Sequence, residues 1–288
     1  MKELEFIEII KKTSNSSFLG DDCAYLKDFG LVITQDNFVE NVHFKRKWAT
    51  PYQIGYKAAA VNISDILASG AEPKYLSVGL SIPNDINNDF IKELYRGIIA
   101  GSYGAEITGG DITSAERIFI SITALGATKN RKISSRKNAK VGYKIITTGK
   151  YGISTIGLKE LIDGKRSSAN ISEHLEPKIN VEFPTQIATD ITQDYAMMDT
   201  SDGLADALFK IAQASNVTIK SDYINGMFGA EDYNIVAAVP EEIIHKIKDC
   251  YIIGKVCNFN GNFLEIDGKQ FKNYDDLGLF DHFGGQNI

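Results

Sequence analysis

The residues of this chain best suited to chemistry are aspartates that lie beside glycine, serine or threonine at the edges of apolar segments. Gly20-Asp21-Asp22 precedes one such segment, Asp36 closes the run LVITQD, and Asp111 follows Gly109-Gly110. Asp199 and Asp202 bracket the turn MMDTSDGL, where Ser201 is placed to cap the next helix. Each of these, taken singly, has an ordinary structural reading as a turn residue or a first-turn carboxylate. Asp65 is different. Its neighbours Ile63, Ile66 and Leu67 put it in a largely buried helix, where a carboxylate needs a cation or several hydrogen bonds. Magnesium takes carboxylate and water oxygens, usually one or two carboxylates per ion, while substrate phosphates supply the rest. Carboxylates spread over separate elements therefore suit several such ions around a polyphosphate. No His or Cys spacing suits zinc or iron.

The elements that must position these residues alternate in type, which predicts an α/β or α+β class. Thr50-Pro51 reads as an N-cap and first turn, opening a helix that Gly70 stops. Apolar runs at 30–34, 75–82, 118–127, 143–148, 233–239 and 250–256 read as strands. Helical patterns cover 87–101, 153–163, 201–215 and 240–248, and the first twelve residues read as an amphipathic helix with no secretory core. The polar, basic stretch 129–142 is the expected boundary between two lobes, residues 1–135 and 136–288. A second polar stretch, DGKRSSANISEH, reads as a surface connection. The ending LFDHFGGQNI is expected to pack until near its Gly-Gly pair.

Bulk properties exclude several classes. With 288 residues, 43% hydrophobic and 24% charged, the chain has an ordinary globular composition, and no apolar run is long enough to span a membrane. A formal charge of −6 argues against nucleic acid as the partner. It also means that phosphates must be met through metal ions. Three cysteines, Cys23, Cys250 and Cys257, form no C-x-x-C pair, which suits a reducing, cytoplasmic setting. Neither a P-loop nor the protein-kinase set of motifs is present. Gly149-Lys150-Tyr151-Gly152, between a strand and a helix, is a weak candidate for an anion-binding turn.

Together the motifs are specific. Gly20-Asp21-Asp22-Cys23-Ala24, Thr34-Gln35-Asp36 with Val39-Glu40-Asn41-Val42-His43-Phe44, and Gly55-Tyr56-Lys57-Ala58 leading into Ala60-Val61-Asn62-Ile63-Ser64-Asp65 resemble the thiamine-monophosphate kinase family. So do Gly109-Gly110-Asp111, Asp199-Thr200-Ser201-Asp202-Gly203-Leu204, Glu231-Asp232-Tyr233 and Phe280-Asp281-His282-Phe283. These stand in the family's order from about residue 18 to about residue 284. The wider superfamily includes aminoimidazole ribonucleotide synthetase, selenophosphate synthetase and a hydrogenase-maturation enzyme. The reactive cysteines expected of the last two are missing here.

The resemblance implies a two-lobed aminoimidazole ribonucleotide synthetase-like fold whose N-terminal lobes pair as a homodimer. It also implies transfer of a phosphoryl group from ATP to thiamine monophosphate, giving thiamine diphosphate and ADP, with Mg2+ as cofactor. By the same resemblance Asp22, Thr34, Gln35 (through its carbonyl), Asp36, Asp65, Asp111, Asp199 and Asp202 are metal ligands. Gly110, Asp111, Arg136 and Ser201 contact ATP, and His43, Glu231 and Phe280 hold the thiamine phosphate. An aromatic ring can stack on thiamine, Glu231 can face its cationic part, and Arg136 can clamp a phosphate. No covalent nucleophile or general base is expected. The chain departs from the family pattern at Tyr151-Gly152-Ile153-Ser154, where an Asp is usual, at Ala230 and at Ile112. Two other readings stand beside this one: a purine-pathway type of superfamily enzyme, and a nucleotide sensor without activity.

Overall fold

The structure is a computed structural model and describes residues 2–279, with side chains from residue 5. Phe280 and the rest of the ending lie outside the described residues. After an N-terminal helix, α1 (Lys2–Ser14), five strands form the first sheet: β1 (Ala24–Leu26), β2 (Leu31–Val39), β3 (Glu72–Ile82), β4 (Glu106–Ser114) and β5 (Phe119–Ala127). Their order is β1-β2-β5-β3-β4, antiparallel except for the parallel β3–β4 pair. β5 shows the reason one face is buried: Ile120, Ile122 and Ala124 alternate inward with Ser121 and Thr123 outward.

Helices α2 (Pro51–Ala68) and α3 (Asn88–Gly101) belong to this first half. α2 begins with the capping box that its sequence predicts, Thr50 accepting from the Gln53 amide and Gln53 from the Thr50 amide. It is apolar nearly all round and accordingly buried along most of its length. Small residues let α3 lie against it backbone to backbone. A Cβ on Gly55 would come within 2.0 Å of the Leu94 carbonyl oxygen, and one on Gly97 within 1.9 Å of that of Tyr52. The helix that carries Lys57, Asn62 and Asp65 is thus held tightly in place.

The second sheet has seven strands: β6 (Lys144–Thr147), β7 (Ala196–Asp199), β8 (Thr218–Ser221), β9 (Ile235–Val239), β10 (Tyr251–Cys257), β11 (Leu264–Ile266) and β12 (Lys269–Phe271). The order is β12-β11-β8-β10-β6-β9-β7. Four helices accompany it, α4 (Ile153–Ile162), α5 (Ala169–Leu175), α6 (Glu182–Asp190) and α7 (Leu204–Ser215). One core lies wholly in this half, around Phe209, Ile219 and Val256; the other runs from the first sheet through α2 to Phe183, Tyr195 and Met197.

Several sequence expectations need correction. β2 does not end at Asp36 but continues to Val39, paired with β5 throughout. The pattern at 240–248 is a 3-10 segment, Glu241–Lys246, after Pro240. The polar stretch read as a surface connection contains α5, capped by Ser168, with His174 buried. Ser201 does not cap α7. That helix starts at Leu204 after Gly203, whose φ is +106°, and the Ser201 hydroxyl donates instead to Asp199. The expectation of a lobe boundary in 129–142 is not among these; within that stretch Ser134 donates to the Ala68 carbonyl, and Ser135 and the Arg136 amide donate to Asp21.

Candidate functional site

Two groups of polar side chains meet where α2 runs between the two halves. At the C-terminal end of α2, carboxylate oxygens of Asp22, Asp65 and Asp199 all lie within 4.8 Å of one another. They come from the loop before β1, from α2, and from the last residue of β7. Neutral donors orient them. Thr34 donates to Asp65 (2.8 Å), Ser64 to Asp199 (2.8 Å) and Ser201 to the other oxygen of Asp199 (3.0 Å). Asp36 points toward the same side of β2 as Thr34, and its amide donates to the Asn62 side chain (3.1 Å).

The electrostatics of this end are unfavourable as it stands. Burial, then Asp202 and Asp22, raise the Asp36 carboxyl to about 6. Burial and the charge of Asp22 raise Asp199 to about 7, against the hydrogen bonds of Ser64 and Ser201. Asp65 is driven well above the ordinary range by burial and by Asp36, Asp199 and Asp22. The Arg136 guanidinium offsets part of this, pairing with Asp22 at 2.5 Å, while among the described residues its Nε has no hydrogen-bond partner. An all-oxygen, carboxylate-rich set with unbalanced negative charge fits a hard divalent cation such as Mg2+.

The other expected ligands divide. Gln35 turns its side chain away, to Ser121 and Thr123, leaving only its carbonyl for a ligand role. Asp202 is paired with Lys210 (3.0 Å), which also pairs with the buried Asp206 (3.0 Å). Gly110 and Asp111 lie on the exposed edge strand β4. Register runs from Asp36 to Ile122, Val78 and Gly110, three strand spacings or roughly 14 Å. Within one chain, Asp111 does not join the cluster. Gly110 also has a packing reason to be glycine, because a Cβ there would come within 1.8 Å of the Val78 carbonyl oxygen.

At the other end of α2 a small cleft is lined by Phe38, His43, Phe44, Trp48, Lys57 and His174. The His43 ring stacks on Phe38 and accepts from the Val39 amide through Nδ1 (3.0 Å). Glu231 reaches in from the second half, its φ at +63° and its amide bonded to the Ser201 carbonyl (2.7 Å). Its carboxylate meets the Lys57 ammonium at 3.2 Å and His174 Nδ1 at 3.5 Å. Burial would raise the Glu231 carboxyl, but Lys57 and His174 outweigh it and hold it below the ordinary value. Burial and Lys57 push His174 down to about 4, against Glu231, so the ring is neutral at physiological pH. The next residue, Asp232, accepts from the Gly152 (2.5 Å) and Ser154 (3.0 Å) amides at the start of α4. The turn read as a possible anion site is therefore filled by the chain's own carboxylate, close to where the family usually carries an Asp.

Three participants escaped sequence reasoning. Lys57 stood inside a quoted motif without a role, although a lysine eight residues before Asp65 in an apolar helix was a usable signal. His174 and Ser64 gave none.

The fold and this carboxylate-lined junction define an aminoimidazole ribonucleotide synthetase-like protein, and residues 20–128 match the family described as AIR synthase related protein, N-terminal domain. The chain is 31% identical to the thiamine-monophosphate kinase of Aquifex aeolicus over 93% of its length and 95% of that protein's. It is 33% identical to the thiamine-monophosphate kinase of Bacillus subtilis, over 78% of each. A solved structure, AaThiL complexed with AMPPCP and TMP, superposes with a TM-score of 0.84 at 31% identity, covering 95% of this chain and 96% of that one. The chain belongs to the thiamine-monophosphate kinase family.

Proposed function

We propose that the protein transfers the γ-phosphoryl group of ATP to thiamine monophosphate, releasing ADP and thiamine diphosphate. The observation that carries this reading is the group of three carboxylates within 4.8 Å of one another, facing the same interlobe junction as an aromatic-lined cleft. The AaThiL structure, holding an ATP analogue and TMP together, supports it. Magnesium would be held by Asp22, Asp36, Asp65 and Asp199, with Thr34, the Gln35 carbonyl and Asp202 adjoining. When bound it would neutralise the phosphate charges and stabilise the transferring group.

The chain's own residues position the reactants. Arg136 and Ser201 sit beside the carboxylates, where a nucleotide's phosphates would lie. His43, Glu231 and Phe280 are assigned to the acceptor. The nucleophile is an already anionic phosphate oxygen of that acceptor, so direct in-line attack needs neither a general base nor a covalent intermediate. Asp36 and Asp199 sit within the metal set, and no other carboxylate is required to take a proton.

We further propose a cytoplasmic homodimer built on the first sheet, with the lobe boundary at 135/136. The edge strand β4, exposed along nearly its whole length, is the support for the dimer, and in it Gly110 and Asp111 would serve the nucleotide site of the partner. Phosphorus NMR of the protein with ATP, Mg2+ and a panel of acceptor phosphates tests the reaction. Thiamine diphosphate and ADP should appear one for one only with thiamine monophosphate. ADP formed with a purine-type acceptor instead, or ATP binding without turnover for any acceptor, would overturn the reading.

A further inference from the structure

Among the described residues, Lys57 is the one buried cation of the acceptor cleft, and neither motif nor resemblance gives it a role. Its side chain is 3% exposed and lines the cleft with His43, Trp48 and His174. The ammonium contacts Glu231 at 3.2 Å, yet among the described residues Nζ has no hydrogen bond of acceptable geometry. An ammonium carries three donors, and a buried one left short of acceptors is costly. His174 does not share its charge, since burial keeps that ring neutral. Lys57 stands eight residues before Asp65 on α2, about 12 Å along the axis and roughly 80° round it. Phosphates of donor and acceptor must meet between a metal-holding end and this cleft.

We infer that Lys57 binds the phosphate of the acceptor and makes the site selective for the phosphorylated ligand. The inference rests on the proposed thiamine monophosphate reading and deepens it. The acceptor carries a cationic ring system at one end and an anionic phosphate at the other. It can therefore replace both halves of the Lys57–Glu231 pair, the cation facing Glu231 and the phosphate facing Lys57. Thiamine, which lacks the phosphate, satisfies Glu231 and leaves a buried lysine without an anion. A site built around a polar partner rejects the analogue that lacks it. Lys57 is here a specificity residue for the acceptor, at the opposite end of α2 from the metal ligands.

Calorimetric titrations of the folded full chain with thiamine and with thiamine monophosphate test this on wild type and K57M, with circular dichroism as the check of folding. Wild type should prefer the monophosphate by about tenfold or more. In K57M that preference should fall to about threefold or less through loss of monophosphate affinity, with thiamine affinity retained. K57R, which keeps the charge, should retain most of it. If K57M does not fold, K57Q, which keeps a donor for Glu231, carries the same comparison. Equal losses for both ligands would make Lys57 an interlobe strut, and an unchanged preference would remove it from phosphate binding; either overturns the inference alone. A wild type that binds neither ligand, or prefers neither, would overturn the acceptor assignment as well.

Discussion

The two ends of α2 handle buried charge in opposite ways. At the Asp65 end, among the described residues, three carboxylates from separate elements lie within 4.8 Å of one another beside Asp36 and Arg136, and burial, with neighbouring carboxylates adding to it, raises Asp36, Asp65 and Asp199. At the Lys57 end, one carboxylate, one ammonium and one neutral imidazole come together, and the carboxylate is lowered. The first arrangement gathers like charge that burial makes costly. The second brings opposite charges together within 3.2 Å. Both are held to the same rigid helix, so what distinguishes them is composition and not flexibility.

The largest expected effect lies at the acidic end. Asp65→Asn should lower turnover by about a thousandfold or more, since it removes charge stabilisation where it is needed. The same change should raise the melting temperature of the metal-free protein by a few degrees, because it removes a buried like charge. Steady-state kinetics and thermal melts in a chelator check the pair of outcomes. Turnover near wild type at saturating magnesium would break the distinction between the ends. Glu231→Gln should do the reverse to stability, costing about 2–3 kcal/mol by leaving Lys57 buried and unpaired. Urea unfolding measures that, and a neutral or stabilising result would mean the pair contributes nothing.

A smaller effect concerns pH, and its sign differs between the ends. His174 has a folded value of about 4, below its ordinary 6.5, so the unfolded chain binds more protons between these values. Stability from this group therefore rises with pH across that window and is lost as pH falls. Asp36 and Asp199, at about 6 and about 7, lie above the ordinary carboxylate value. The folded chain binds more protons there, so their contribution falls as pH rises from about 4 to about 7. In metal-free buffer, His174→Gln should leave a curve that declines more steeply with pH, whereas Asp199→Asn should tilt it upward. Parallel curves for the two variants would contradict the contrast. A last, null effect sharpens the mechanism: incubation with γ-labelled ATP and no acceptor should leave no covalent label on the denatured chain.

Much of the acidic end was legible in the sequence, because an aspartate inside AVNISDILASG conflicts with its neighbours and the conflict itself is a signal. The helix start at Thr50-Pro51 was legible for a local reason, the capping box. At the other end only Glu231 and His43 were legible, through their motifs; Lys57 and His174 lie far from Glu231 in the chain, and a pair of opposite charges leaves no local anomaly. β4 was missed because its residues are mostly exposed and rich in glycine, so it lacks alternation. Asp111 looked equivalent to the other aspartates, and only strand order shows it to be three strands from Asp36. The Ser201 cap failed because Gly203 resets the backbone before α7 begins.

The magnesium site proposed at the acidic end is most directly tested by the protons that magnesium displaces. Titrating Mg2+ into the protein by calorimetry at pH 6.5, in two buffers of different ionisation enthalpy, gives their number. With Asp36 at about 6 and Asp199 at about 7 in the metal-free protein, binding should release protons measurably. Asp199→Asn should release fewer, and Glu231→Gln as many as wild type. Magnesium binding with no proton release, or release abolished by Glu231→Gln and untouched by Asp199→Asn, would contradict the assignment of the metal to the Asp65 end.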